Sequence, residues 1–350
     1  MSVGRARRRW AVASSLILIL IGAATRDSGG ARAALACAPS MRVIQGARGR
    51  VDGLYHAPSG GATLALVGAS PSGAPFLPRD DLLVLTPDGR VQARIAMPAY
   101  MVPPGLAAAV DAPGLVRVIV DESLLIVDAS QGRIVTRWPL DVQALGWPAA
   151  VAASTQGRLY VAGQPRVGRA AILEAITVPT PAHERPRVIW RVPLGLTHAG
   201  LWLDVAGHGL VAAYLPDADD VHGTIALFDE RVGALRASYA VPVSPAGADP
   251  VHDRAYLDDA GMIRVLTLRE GSPVATIAGT GPLALDPAHN LLAFMRGGAV
   301  VLASARTLRP LARVPMSDAL SLTFASGGHA LLVGRRAGLS SIDVGRCAMP

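Results

Sequence analysis

Asp217-Ala218-Asp219-Asp220-Val221-His222 sets three carboxylates and an imidazole within six residues, which makes it the best metal candidate in the chain. Carboxylate oxygens suit Ca²⁺, and the imidazole of His222 would admit a mixed site for another ion. The segment lacks the glycine and terminal Glu of an EF-hand loop, so a solvated acidic loop is the plainer reading. No other cofactor is expected. Further charges fall between apolar runs: Asp80-Asp81, Asp121-Glu122 and Asp258-Asp259 are acidic, while Arg166, Arg169, Arg296, Arg335 and Arg336 are basic. Grouped on one face they would form opposed acidic and basic sectors for a binding partner; ordinary loop solvation gives the same pattern. His56, His208, His252, His289 and His329 fall in a second class of turns. A pH-sensitive or metal-binding ring is one reading, but successive repeat units are expected to hold them well apart.

Signatures of catalysis are missing. There is no Gly-x-Ser-x-Gly elbow, no His-Glu-x-x-His helix and no Gly-rich dinucleotide fingerprint. All 33 basic residues are Arg, which removes every mechanism that needs a lysine, from phosphate cradling to Schiff-base chemistry. A catalyst assembled from distant segments, such as a hydrolase or lactonase using Asp121, Asp217 and Arg335 in a central funnel, is the alternative to a non-catalytic module. A purely structural envelope component is the third reading.

What must position these residues is a repeat. An apolar run, a turn rich in Gly, Asn, Asp or His, and a second apolar run recur in Ala149–Gly163, Leu201–Leu215, Leu283–Arg296 and Leu320–Gly334. Four-strand units of roughly 40–45 residues signal a β-propeller. Hairpins such as Leu82–Met97, Leu124–Leu140 and Ile225–Val241 supply the third and fourth strands, with Gly89 and Gly132 providing the positive φ of their turns. Fourth strands end near Pro98, Pro139, Pro193, Pro242 and Pro315, where no ladder donor is needed. The extra length before Pro193 is the polar loop Val178–Arg187.

The expected fold is all-β: a seven-bladed propeller with four-stranded antiparallel blades near 51–98, 104–140, 146–194, 198–242, 244–279, 281–315 and 317–346. The last unit has only three strands, and residues 41–45 can supply the fourth and seal the ring. That arrangement sets Cys37 beside Cys347, the only two cysteines, and predicts a disulfide between them. The competing reading is lipid attachment at Cys37, after the lipobox-like Ala34-Leu35-Ala36. In such a ring, loops between blades and second-to-third loops share one face, and the other turns share the opposite face.

Gly157-Arg158-Leu159-Tyr160-Val161 and Leu124–Val135 resemble the YVTN-type, surface-layer-like seven-bladed propellers of bacteria and archaea. The resemblance implies an extracytoplasmic propeller that binds or scaffolds, and carries no shared catalytic residues. Residues 1–36 read as a secretory signal, with Arg5, Arg7, Arg8 and Arg9 before the apolar segment Ala11–Ala24. At 14 residues that segment is short of the roughly 20 a permanent span needs. Six Arg and one Asp in this leader account for +5 of the net charge of +7, leaving +2 for residues 37–350. So weak a charge excludes a nucleic-acid partner. The expected product is a monomeric, secreted or cell-surface binding module for a protein, peptide or glycan at its loop face. Membrane contact is expected only through the leader or a lipid anchor.

Overall fold

The structure, a computed structural model, describes residues 37, 39–56, 63–68, 81–86, 89–96, 115–120, 122–154, 158–164, 170–177, 185–195, 201–217, 222–325 and 328–347. The leader expected at 1–36 lies outside them. The first sheet runs Arg50–His56, Thr63–Gly68, Asp81–Leu85 and Val91–Ala96; the second shows Leu115–Val120, Ser123–Asp128 and Arg133–Pro139, and residues 104–114 of that unit lie outside the described residues. The third contains Trp147–Ala153, Arg158–Gln164, Ala171–Thr177 and Arg187–Gly195, and the fourth Trp202–Gly207, Leu210–Pro216, Gly223–Asp229 and Leu235–Val241. Pro245–Asp249, Arg254–Asp259, Met262–Thr267 and Pro273–Ala278 form the fifth; Thr280–Asp286, Leu291–Met295, Ala299–Ser304 and Pro310–Pro315 form the sixth. The seventh joins Ala319–Phe324, Ala330–Arg335 and Gly338–Asp343 to Ser40–Val43 from the start of the chain.

Most second and third strands are near-continuous apolar runs because both faces of a blade are buried there, whereas outer strands alternate with exposed positions. Successive side chains point to opposite faces. Thus Leu64 and Leu66 of the first blade pack with Val116, Val118 and Leu125 of the second. Their neighbours Ala65 and Val67 pack instead with Leu332 and Leu339 of the seventh. Seven such seams are present, each built from two successive blades, and the last joins blade seven to blade one. A fully buried Leu or Val contributes about 1.5–3 kcal/mol, so these seams, more than the hydrogen-bonded ladders, hold the blades in a ring. First strands of neighbouring blades also lie side by side, including Ala319–Phe324 against Arg50–His56. The molecule is a closed, seven-bladed β-propeller.

The closing strand is Ser40–Val43, paired antiparallel with Gly338–Asp343 so that Met41 faces Ile342. It is shorter than the expected 41–45 because the chain turns at Gln45-Gly46, where Gly46 has φ 83°, to enter the first blade. Ile44 still donates its N–H to Leu339 O at 2.9 Å. Cys37 and Cys347 are bonded, with Cα atoms 5.2 Å apart. Gly89 and Gly132 sit at φ 80° and 63° in their hairpin turns, as expected. The third blade departs from the proline rule. Its outer strand runs two residues past Pro193, with a register shift between Ala171 and Ile172 that absorbs the residue lacking an N–H.

The seam between blades seven and one is tight. Ser321 Oγ donates to Val51 O at 3.2 Å, and a Cβ on Gly334 would lie 2.6 Å from that same oxygen. Gly334→Ala is therefore expected to lower stability by about 1–3 kcal/mol through overpacking, read as a lower urea midpoint.

Candidate functional site

The described loop charges are largely engaged within the fold. Asp81 pairs with Arg94 at 2.5 Å, and that guanidinium also donates to Gly46 O at 2.7 Å. Asp258 accepts from Thr280 Oγ1 at 2.9 Å and from Gly281 N at 2.7 Å, tying the fifth blade to the sixth. Asp259 pairs with Arg264 at 2.5 Å, and Arg335 donates through Nε to both Asp318 oxygens at 3.0 Å. Glu122 is half-buried and Arg336 is exposed. Asp80, Asp121, Arg166, Asp219 and Asp220 lie outside the described residues.

Asp217 and His222 are both exposed, and the Asp217 N–H donates to His222 O at 2.8 Å across the base of their loop. Among the described residues no group of three or more His, Cys, Asp or Glu side chains is placed to hold a metal ion. Asp217 lines a cavity of about 490 Å³ on the outer side of the third and fourth blades, with Leu194, Leu215, Phe228 and Leu235. Arg335, for its part, is held by Asp318. The structure does not bring these two together.

The histidines need one correction. His289 and His329 are not well apart: their ring centroids lie 6.4 Å from each other. They occupy first-to-second turns of adjacent blades, which converge where the ring is narrowest. Both His252 and His289 sit in an Asp-Pro-x-His turn. Asp249 Oδ2 meets His252 Nδ1 at 2.7 Å and Asp286 Oδ2 meets His289 Nδ1 at 2.8 Å, while each Asp also accepts the histidine's own N–H. These imidazoles are turn-builders.

A different group emerges at the axis. First strands of six blades line a cavity of about 570 Å³, with Tyr55, Val151, Asp204, Ala246, Leu283 and Leu322 each contributed by a different blade. Among the described lining residues, Asp204 and the Tyr55 phenol are the titratable groups. Trp202-Leu203-Asp204-Val205 lies on the inner strand of the fourth blade, where Leu203 enters the seam with blade three. Asp204 points the other way, toward blade five. Its Oδ1 accepts the Val205 N–H at 2.8 Å, and the backbone amide of Ala248 on that next blade lies near enough to favour its charged form. Burial raises its pKa to about 6, against the pull of those two amides.

The sequence signal for Asp204 is a carboxylate inside the apolar run Leu201–Leu215. Knowing which strand faces the axis is what gives it meaning. The channel can enclose an apolar body and present one acceptor of negative charge.

Seven sheets around an axial cavity define the class: a seven-bladed propeller with a candidate site in its central channel. No protein-family model matches the chain, and no curated protein matches it either.

Proposed function

We propose that the protein is an extracytoplasmic, non-catalytic binding module that takes its ligand in the central channel rather than on the charged loops. The observation that carries this reading is the axial cavity of about 570 Å³, whose walls come from six blades, are more apolar than polar and carry one carboxylate. Largely apolar cavities with a few placed polar groups are the usual form of small-ligand sites. The loop charges support it from the other side, since Asp81, Asp258, Asp259 and Arg335 already have partners within the chain. The Cys37–Cys347 disulfide favours an oxidising compartment, in keeping with the leader expected at 1–36. The Gly157–Val161 and Leu124–Val135 repeats support a YVTN-type, surface-layer-like propeller.

The test is channel filling. Ala246 lies partly open on the channel wall, so Ala246→Phe projects a ring into the cavity. The purified protein, incubated with a small-molecule extract of its own cells, is expected to retain a ligand detectable by mass spectrometry. Ala246→Phe should abolish retention with little change in melting temperature, whereas Arg336→Ala should leave it intact. Loss on Arg336→Ala or Asp217→Ala, with Ala246→Phe unaffected, would move the site to the loop face.

A further inference from the structure

Asp204, half-buried on the channel wall, differs from the fully buried acids of the molecule. Glu174, 2 % exposed, is paired with Arg191, and Asp249, fully buried, with His252. Asp204 has no cationic side chain beside it among the described residues; burial and two backbone amides are what act on it. Two amides leave part of a carboxylate's four lone-pair positions open. A carboxylate drawn partly out of water with uncompensated charge is costly to a fold, and inner-strand positions around it are aliphatic in Val151, Ala246, Leu283 and Leu322. An aliphatic residue would therefore line this ring without that cost, and the charge points to a ligand that neutralises it. The same walls carry Trp202 and Tyr55, whose ring faces attract cations.

We infer that the channel takes a small organic cation, an apolar body carrying one ammonium or guanidinium head that seats against the Asp204 carboxylate. This rests on the channel reading above and specifies the charge of its ligand. A ligand of this kind needs no lysine or metal from the protein. The apolar body is desolvated along the aliphatic walls, and the head forms a charge-assisted hydrogen bond with a partner already held in place by the inner strands of two blades.

The experiment compares phenethylammonium, neutral 2-phenylethanol and anionic 3-phenylpropionate by calorimetric titration of the full chain. Wild type, Asp204→Asn and Ala246→Phe are titrated with each. At about pH 7.5 the wild type is expected to bind the cation at least about tenfold more tightly than the alcohol, and the anion weakest, as a hydrogen bond to a charged group implies. Lowering the pH to about 5 should erase the preference as the carboxyl takes up its proton. The Asn variant, which keeps an acceptor for the backbone amides, should bind cation and alcohol alike at both pH values.

Equal binding of cation and alcohol by the wild type would overturn the cationic assignment, as would a preference that survives Asp204→Asn. In either case loss of binding in Ala246→Phe would leave the channel reading standing. Binding unaffected by Ala246→Phe, or no binding of any probe at millimolar concentration, would overturn both.

Discussion

Replacing Cys37 and Cys347 together with Ser is expected to lower the free energy of unfolding by up to about 5 kcal/mol. The bond joins residues 310 apart in sequence, so in the unfolded chain it closes a loop spanning nearly the whole propeller. Beside the bond, the closing strand is held by its ladder and by Ile44, which follows it into the seam of blades seven and one. All four residues of Ser40–Val43 are exposed, so it contributes ladder hydrogen bonds to Gly338–Asp343 and almost no burial of its own. Cys347, in contrast, is 3 % exposed and sits in the seam of blades six and seven with Val344 and Met316. Urea denaturation of the wild type with and without reductant, beside the double variant, measures the effect. Reduced wild type and double variant should share a low midpoint, and amide exchange should rise first at Ile44 and along Gly338–Asp343. A midpoint unmoved by reductant would mean that the seam of blades seven and one closes the ring unaided.

Asp204→Asn is expected to stabilise the protein above about pH 6 and to leave it nearly unchanged below about pH 4, with a difference of up to about 3 kcal/mol between these limits. The sign follows from the raised pKa. In the folded state the carboxyl titrates at about 6, against an ordinary value of 3.8. Between those values the native protein holds a proton that the unfolded chain releases, so stability falls as pH rises through the window. Asn cannot ionise and removes that slope. Asp128 and Asp229 act in the opposite sense, held below the usual carboxylate range by the Ser130 hydroxyl and by the Arg236 side chain respectively. They weaken the fold only as pH drops through their own lowered values, and they cancel in the difference between wild type and variant. Thermal unfolding of both proteins across this range reads the effect. A difference that does not change with pH would contradict this account of a desolvated Asp204.

The fold was legible because burial on both faces leaves a strong imprint on sequence. Leu124–Val127 and Leu291–Met295 are apolar at every position since alternate side chains enter different seams. The pairing of Cys37 with Cys347 followed from chain direction alone, once a three-strand final unit required a fourth strand. The site was harder to read. Asp258 and Arg335 look like solvated loop charges until Thr280, Gly281 and Asp318 arrive from inter-blade connections and first strands beyond any local motif. The approach of His289 to His329 depends on how two neighbouring blades converge, which repeat spacing does not encode. Asp204 was hidden for a related reason. A single acid in an apolar run gains significance only when its strand is known to face the axis, beside a neighbour whose N–H at Ala248 fixes it there.

Methyl-resolved NMR during titration with phenethylammonium tests the central claim most directly. The expected result is shifts at Val151, Val205, Leu283 and Leu285, which line the channel, and none at Val188 or Ile189 on an outer strand. Shifts confined to outer-strand or loop methyls, with the channel set unmoved, would contradict it.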